Sequence, residues 1–149
     1  MPSDDLRANL RDPYLLDEVI LHAPFWTFMD IWPKRHVYFV RHLRICDRAK
    51  KVLARRKILR IGRYFVKTAQ VDYRSPMRWH EKLKIRIFVA GLFKEGKVPL
   101  LKYELHSLRR KELLAEARLL YFPPLSERRN LHRLFFDEAL KERLLASVI

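Results

Sequence analysis

Residues 36–57 read HVYFVRHLRICDRAKKVLARRK. Apolar residues recur here at helical spacing: Val40, Leu43, Cys46 and Leu53 on one register, Phe39, Ile45, Ala49 and Val52 on its neighbour. The spacing predicts a helix over about 36–57 with one apolar side. Its other side carries Arg41, Arg44, Arg48, Lys51 and Arg55, separated by 3, 4, 3 and 4 residues. Such steps keep side chains in one row along a helix, so these cations form a continuous basic stripe.

Downstream the hydrophobic period falls to two. Lys82-Leu83-Lys84-Ile85-Arg86-Ile87 alternates strictly, with Leu83, Ile85 and Ile87 on one face and Lys82, Lys84 and Arg86 on the other. Arg63–Tyr73, Val98–Leu108 and Leu113–Phe122 are further β-prone segments. Ser75-Pro76, Glu95-Gly96-Lys97 and the polar run Arg109–Glu112 mark turns between them. A long helix followed by hairpin-linked strands predicts an α+β fold, an antiparallel sheet wrapped around a central helix. The basic face of 82–87 then looks away from that helix.

At the N-terminal end, Asp12-Pro13 before YLLDEVILH predicts a short helix with Asp12 as cap, closed by Ala23-Pro24. FWTFMDIW, residues 25–32, is aromatic and β-prone. Pro123-Pro124 stops the sheet, and Ser126 caps a predicted C-terminal helix over 126–148. No repeat, linker or low-complexity stretch interrupts the chain. It is expected to be one domain, with a core over about 25–123, a helical extension over 1–24 and the C-terminal helix.

Of the 149 residues, 32 are Lys or Arg and 17 are Asp or Glu, a formal charge of +15. Such a field attracts polyanions: RNA, DNA, anionic lipid or acidic protein. With 3 glycines there is no Gly-rich phosphate loop, and the single cysteine, Cys46, excludes an internal disulfide and a cysteine-based metal site. No apolar run reaches the length of a membrane span. MPSDDLRANLRD holds acids and no apolar run, unlike a signal peptide or an acid-poor transit peptide. An imported form is expected to have lost its leader or to use an unconventional one.

The order of elements and four local words together resemble the hotdog-fold acyl-CoA thioesterases of the 4-hydroxybenzoyl-CoA thioesterase type. Asp30-Ile31-Trp32-Pro33-Lys34-Arg35-His36-Val37 aligns with that family's Asp-x-Asp-x-x-Gly-His-Val opening. His42–Ala49 continues into its alanine-containing helix. Val71-Asp72-Tyr73-Arg74-Ser75-Pro76 through Leu83 is similar to its (V/I)DYxxP word, and Leu113–Phe122 to its final strand. The resemblance covers residues 25–123 and implies a hotdog core that usually dimerises through a sheet edge.

It also implies where chemistry belongs, and there this chain departs. The family's catalytic second aspartate falls on Trp32, which is neither nucleophile nor base. Asp30 matches the first, usually non-catalytic aspartate. Arg35 replaces the glycine near the thioester oxygen, and Tyr38 and Phe39 fill positions that are small and polar in the family. Another hotdog branch carries its carboxylate on the central helix, which makes Asp47 a candidate. Its alternative role is an ion pair with Arg44, Lys50 or Lys51. His36 is read as shaping its loop, Asp72-Tyr73 as anchoring a turn, Cys46 and the tryptophans Trp26, Trp32 and Trp79 as core. His80-Glu81 lacks a third residue at metal-ligand spacing.

The sequence therefore leads to a non-catalytic hotdog protein, with no cofactor or metal. It is expected to act as a structural subunit of a large mitochondrial assembly, a ribosome or a respiratory-chain or ATP synthase complex. The contacts to an anionic partner, rRNA or a lipid such as cardiolipin, would be Arg41, Arg44, Arg48, Lys51, Arg55, Lys82, Lys84 and Arg86. The alternative is an active acyl-CoA thioesterase with a displaced acid, Asp47 or Asp30, assisted by His36, with a CoA thioester as substrate.

Overall fold

The computed structural model describes residues 9–22, 38–61, 63–75, 81–124 and 134–148. In chain order these form β1 (Asn9–His22), α1 (Tyr38–Arg55), β2 (Phe65–Tyr73), β3 (Lys82–Phe93), β4 (Val98–Ser107), β5 (Glu112–Phe122) and α2 (Glu138–Ala146). The 5 strands make one sheet in the order β1-β3-β4-β5-β2, antiparallel throughout. The first two strands thus lie at opposite edges, and the meander β3-β4-β5 fills the centre.

Alternation decides which face is buried. Leu83, Ile85, Ile87 and Val89 of β3 point into the core while Lys84, Arg86 and Phe88 lie on the other face. β4 repeats the pattern with Leu101, Tyr103 and Leu105 inside and Lys102, Glu104 and His106 outside. Ala115, Ala117, Leu119 and Tyr121 of β5 complete the inner face. Ile45, Cys46, Ala49 and Leu53 of α1 belong to the same buried cluster. Full burial of one such leucine is worth about 2 kcal/mol, so the helix is held chiefly by its apolar side.

A helix spans Tyr38–Arg55, within the 36–57 read from the sequence. It ends in a Schellman turn. Lys57 takes a left-handed conformation (φ 57°), its N–H bonds the Ala54 carbonyl at 3.1 Å, and the Ile58 N–H bonds the Leu53 carbonyl at 3.0 Å. At the β3–β4 connection, a 3-10 turn over Lys94–Gly96 uses Gly96 at φ 87°.

Two expected helices are corrected. Residues 13–22 are not helical but the body of β1, paired with β3 from Tyr14↔Val89 to His22↔Lys82. Leu15, Leu16, Val19 and Ile20 fit either period, and pairing with β3 outweighs the local signal. Pro13 is tolerated because β1 is an edge strand whose register slips between Asn9 and Tyr14. The C-terminal helix is shorter than predicted. Asp137, not Ser126, caps α2, its carboxylate accepting the Ala139 N–H at 3.0 Å. Leu134 and Phe135 precede it as buried core residues, Phe135 bridged to Leu59. Positions 125–133 lie outside the described residues.

Candidate functional site

Asp47 sits midway along α1, between buried Cys46 and exposed Arg48. Its side chain is 46% exposed, and its two oxygens meet Lys50 Nζ at 3.1 Å and Lys51 Nζ at 3.3 Å. Spacings of three and four residues make these contacts on any helix. Lys51 is open to solvent, but the Lys50 side chain is only 7% exposed and its ammonium lies 5.5 Å from the Tyr121 ring centroid. Beneath them the Tyr103 and Tyr121 hydroxyls share a buried hydrogen bond of 2.7 Å.

The electrostatics separate these groups. Burial pushes the Cys46 thiol and both tyrosine hydroxyls well above their ordinary values, so they stay neutral. Burial also acts to raise the Asp47 carboxyl, but the hydrogen bonds and charges of Lys50 and Lys51 outweigh it and hold the pKa below the usual aspartate value. The result is an ionised, half-exposed carboxylate above a neutral, polar core layer. Such a group can attack a carbonyl carbon or take a proton from water.

Asp30, Trp32, Arg35 and His36 lie outside the described residues, as do Trp26, Trp79 and His80. Glu81 is a buried partner of Arg110, which donates through Nε and Nη2 to the two carboxylate oxygens, each at 2.9 Å. Among the described residues no cluster of His, Cys, Asp and Glu could hold a metal ion, and no helix is long and apolar enough to cross a membrane. Tyr73 stacks edge-on against buried His42, ring centroids 5.0 Å apart.

The predicted anion contacts divide into two surfaces. Arg44, Arg48, Lys51 and Arg55 are exposed along α1, which also carries Arg41. Lys82, Lys84 and Arg86 lie on the sheet face opposite the one that packs with α1. That second surface is mixed in sign. Glu18 of β1 meets Lys84 at 3.4 Å and Arg86 Nε at 3.2 Å. Glu104 of β4 meets Lys102 at 3.2 Å and His106 at 3.1 Å. These acids went unnoticed in the sequence because strand register, which brings Glu18 and Glu104 beside Arg86, is not written in any one segment.

No protein-family model and no curated protein matches the sequence. Solved structures do match in fold. A thioesterase from Thermus thermophilus, complexed with coenzyme A and Zn, superposes with a TM-score of 0.53 at 16% identity, over 87% of this chain and 92% of that one. A 1,4-dihydroxy-2-naphthoyl-CoA thioesterase from Synechocystis gives 0.56 at 13%, over 88% and 96%. A predicted thioesterase from Bacillus stearothermophilus gives 0.56 at 9%, over 93% and 98%. The chain has the hotdog fold. At these identities the likeness is one of backbone architecture. Within the hotdog frame Asp47 lies on the helix and Tyr103 and Tyr121 on the sheet strands beneath it.

Proposed function

We propose that this chain is a hotdog acyl-CoA thioesterase whose working carboxylate is Asp47. The observation that carries the reading is an ionised carboxylate on the helix of a fold whose solved neighbours include a 1,4-dihydroxy-2-naphthoyl-CoA thioesterase and a thioesterase complexed with coenzyme A. Asp47 acts on the thioester carbonyl, directly or through a water whose proton it accepts. The C–S bond breaks, CoA leaves as a thiolate that takes up a proton, and water supplies the oxygen of the acid product. Lys50 offsets negative charge gathering beside it, and the cations of α1 would receive the CoA phosphates. Purified protein should release free thiol from palmitoyl-CoA or 4-hydroxybenzoyl-CoA, and Asp47→Ala should abolish release. Equal rates in both proteins reject the assignment.

A second reading rests on two observations: a charge of +15, and an Asp47 whose two oxygens both face lysines. Here the hotdog body is a non-catalytic structural subunit of a large mitochondrial assembly, and its basic surfaces meet rRNA or cardiolipin. The structural neighbours support the first reading better. Comigration with a megadalton particle, together with no thioesterase activity, would favour the second. Under either reading β2 is an edge strand with exposed Phe65, Val66 and Tyr73, suited to pairing with a second copy.

A further inference from the structure

On the sheet face turned away from α1, a cavity of about 300 Å³ opens where β3 begins and β4 ends. Its lining is Lys84, Arg86, His106, Ser107, Leu108 and Lys111, with no carboxylate among them. Its volume stands at the small end of the range for ligand pockets. We propose that this cavity is a binding site for a phosphoryl group carried by a small molecule, whether inorganic phosphate or a phosphate monoester.

The donors are already positioned. Glu18 holds Lys84 and Arg86 from β1, Glu104 reaches Arg86 Nη1 at 3.7 Å and His106 at 3.1 Å, and neither acid lines the cavity. Arg86 is further fixed by the Phe88 ring, 5.2 Å from its guanidinium carbon. An ammonium has three N–H donors and a guanidinium five, so these pairings leave donors for an incoming anion. Ser107 adds a buried hydroxyl. Its oxygen accepts the Arg110 N–H at 3.1 Å, and beside it Arg86 Nε is buried without a hydrogen-bond partner among the described residues. A buried donor left without an acceptor is costly, and a phosphoryl oxygen in the cavity would satisfy it.

Lys111 completes the lining from the β4–β5 turn, at φ 52°, a left-handed conformation that glycine or asparagine adopts with less strain. The site stands independently of the thioesterase reading, since Asp47 lies on the other side of the sheet.

The test is thermal unfolding and calorimetry of the full chain at constant ionic strength. Its probes are inorganic phosphate and adenosine 3′,5′-bisphosphate, each against chloride. Both should raise the Tm and bind saturably, and a response to the bisphosphate alone assigns the site to an esterified ligand. Lys111→Gly should raise the Tm without ligand yet weaken binding by about tenfold. Lys84→Met should weaken it similarly, and Lys97→Met, an exposed lysine outside the cavity, should leave it unchanged. If Lys84→Met does not fold, Lys111→Gly still decides. Wild-type affinity in Lys111→Gly, or binding of an oligonucleotide with no response to either small anion, overturns the proposal.

Discussion

Asp47 keeps its charge because two lysines one turn further along α1 reach it, and this has a measurable consequence. A carboxyl whose folded pKa lies below its unfolded value stabilises the fold above the unfolded pKa, about 4, and loses that contribution as pH falls through the folded value. Glu104 belongs to the same class. Burial raises it, but hydrogen bonds from His106 and Lys102 lower it further than burial raises it. Urea midpoints should therefore fall from about pH 4 downward, and Asp47→Asn should make that fall shallower. An unchanged slope would show that the lysines do not shift Asp47. The i+3 and i+4 lysines were legible in the sequence, whereas the tyrosine pair beneath was not, since Tyr103 and Tyr121 meet only through strand pairing. Lys57 tests strain at the same scale. Relieving its left-handed backbone by Lys57→Gly should stabilise the fold by about 1 kcal/mol in chemical denaturation, and a loss would mean that the lysine side chain contributes more than its backbone costs.

Elements with one unambiguous period were readable from their own residues. Lys82–Ile87 could only be a strand with one charged face, and 38–55 only a helix with one apolar side. β1 was not readable, because Leu15, Leu16, Val19 and Ile20 satisfy two periods and its pairing partner lies sixty or more residues away. The start of α2 was missed for a related reason. Leu134 and Phe135 fit a helical pattern but are spent on the core, Phe135 bridging to Leu59 and the Leu134 carbonyl accepting the Arg60 N–H at 2.7 Å. Packing of α2 on the β3–β4 connection can be probed at Gly96. A Cβ there would lie 3.2 Å from Lys141 Cε and 3.7 Å from Leu145 Cδ2, on a backbone at φ 87°. Gly96→Ala should cost about 1–2 kcal/mol, read as a lower urea midpoint with an unchanged m-value. No loss would mean that α2 does not rest on this turn.

Over the whole molecule, one number in the sequence, the net charge, becomes two surfaces on opposite sides of the sheet. The α1 stripe is largely cationic, while the β3 face is threaded with glutamates from neighbouring strands. Composition announces the excess charge but not this division, which depends on the fold. Among the described strands β2 stands at one edge of the sheet, and association through that edge is expected. Sedimentation at micromolar concentration should give twice the 18.1 kDa chain mass, and Val66→Lys with Tyr73→Lys should return it to the monomer by placing charge on the edge. A wild-type monomer would show that the edge is not used. The assignment of Asp47 is tested most directly by a crystal structure of the chain with a non-hydrolysable thioether analogue of an acyl-CoA. With Asp47 as the working carboxylate, the carbon that stands in for the thioester carbonyl lies about 3–3.5 Å from an Asp47 carboxylate oxygen, or from a water that donates a hydrogen bond to that oxygen. A bound analogue with its sulfur remote from Asp47 and beside a different acid would contradict it.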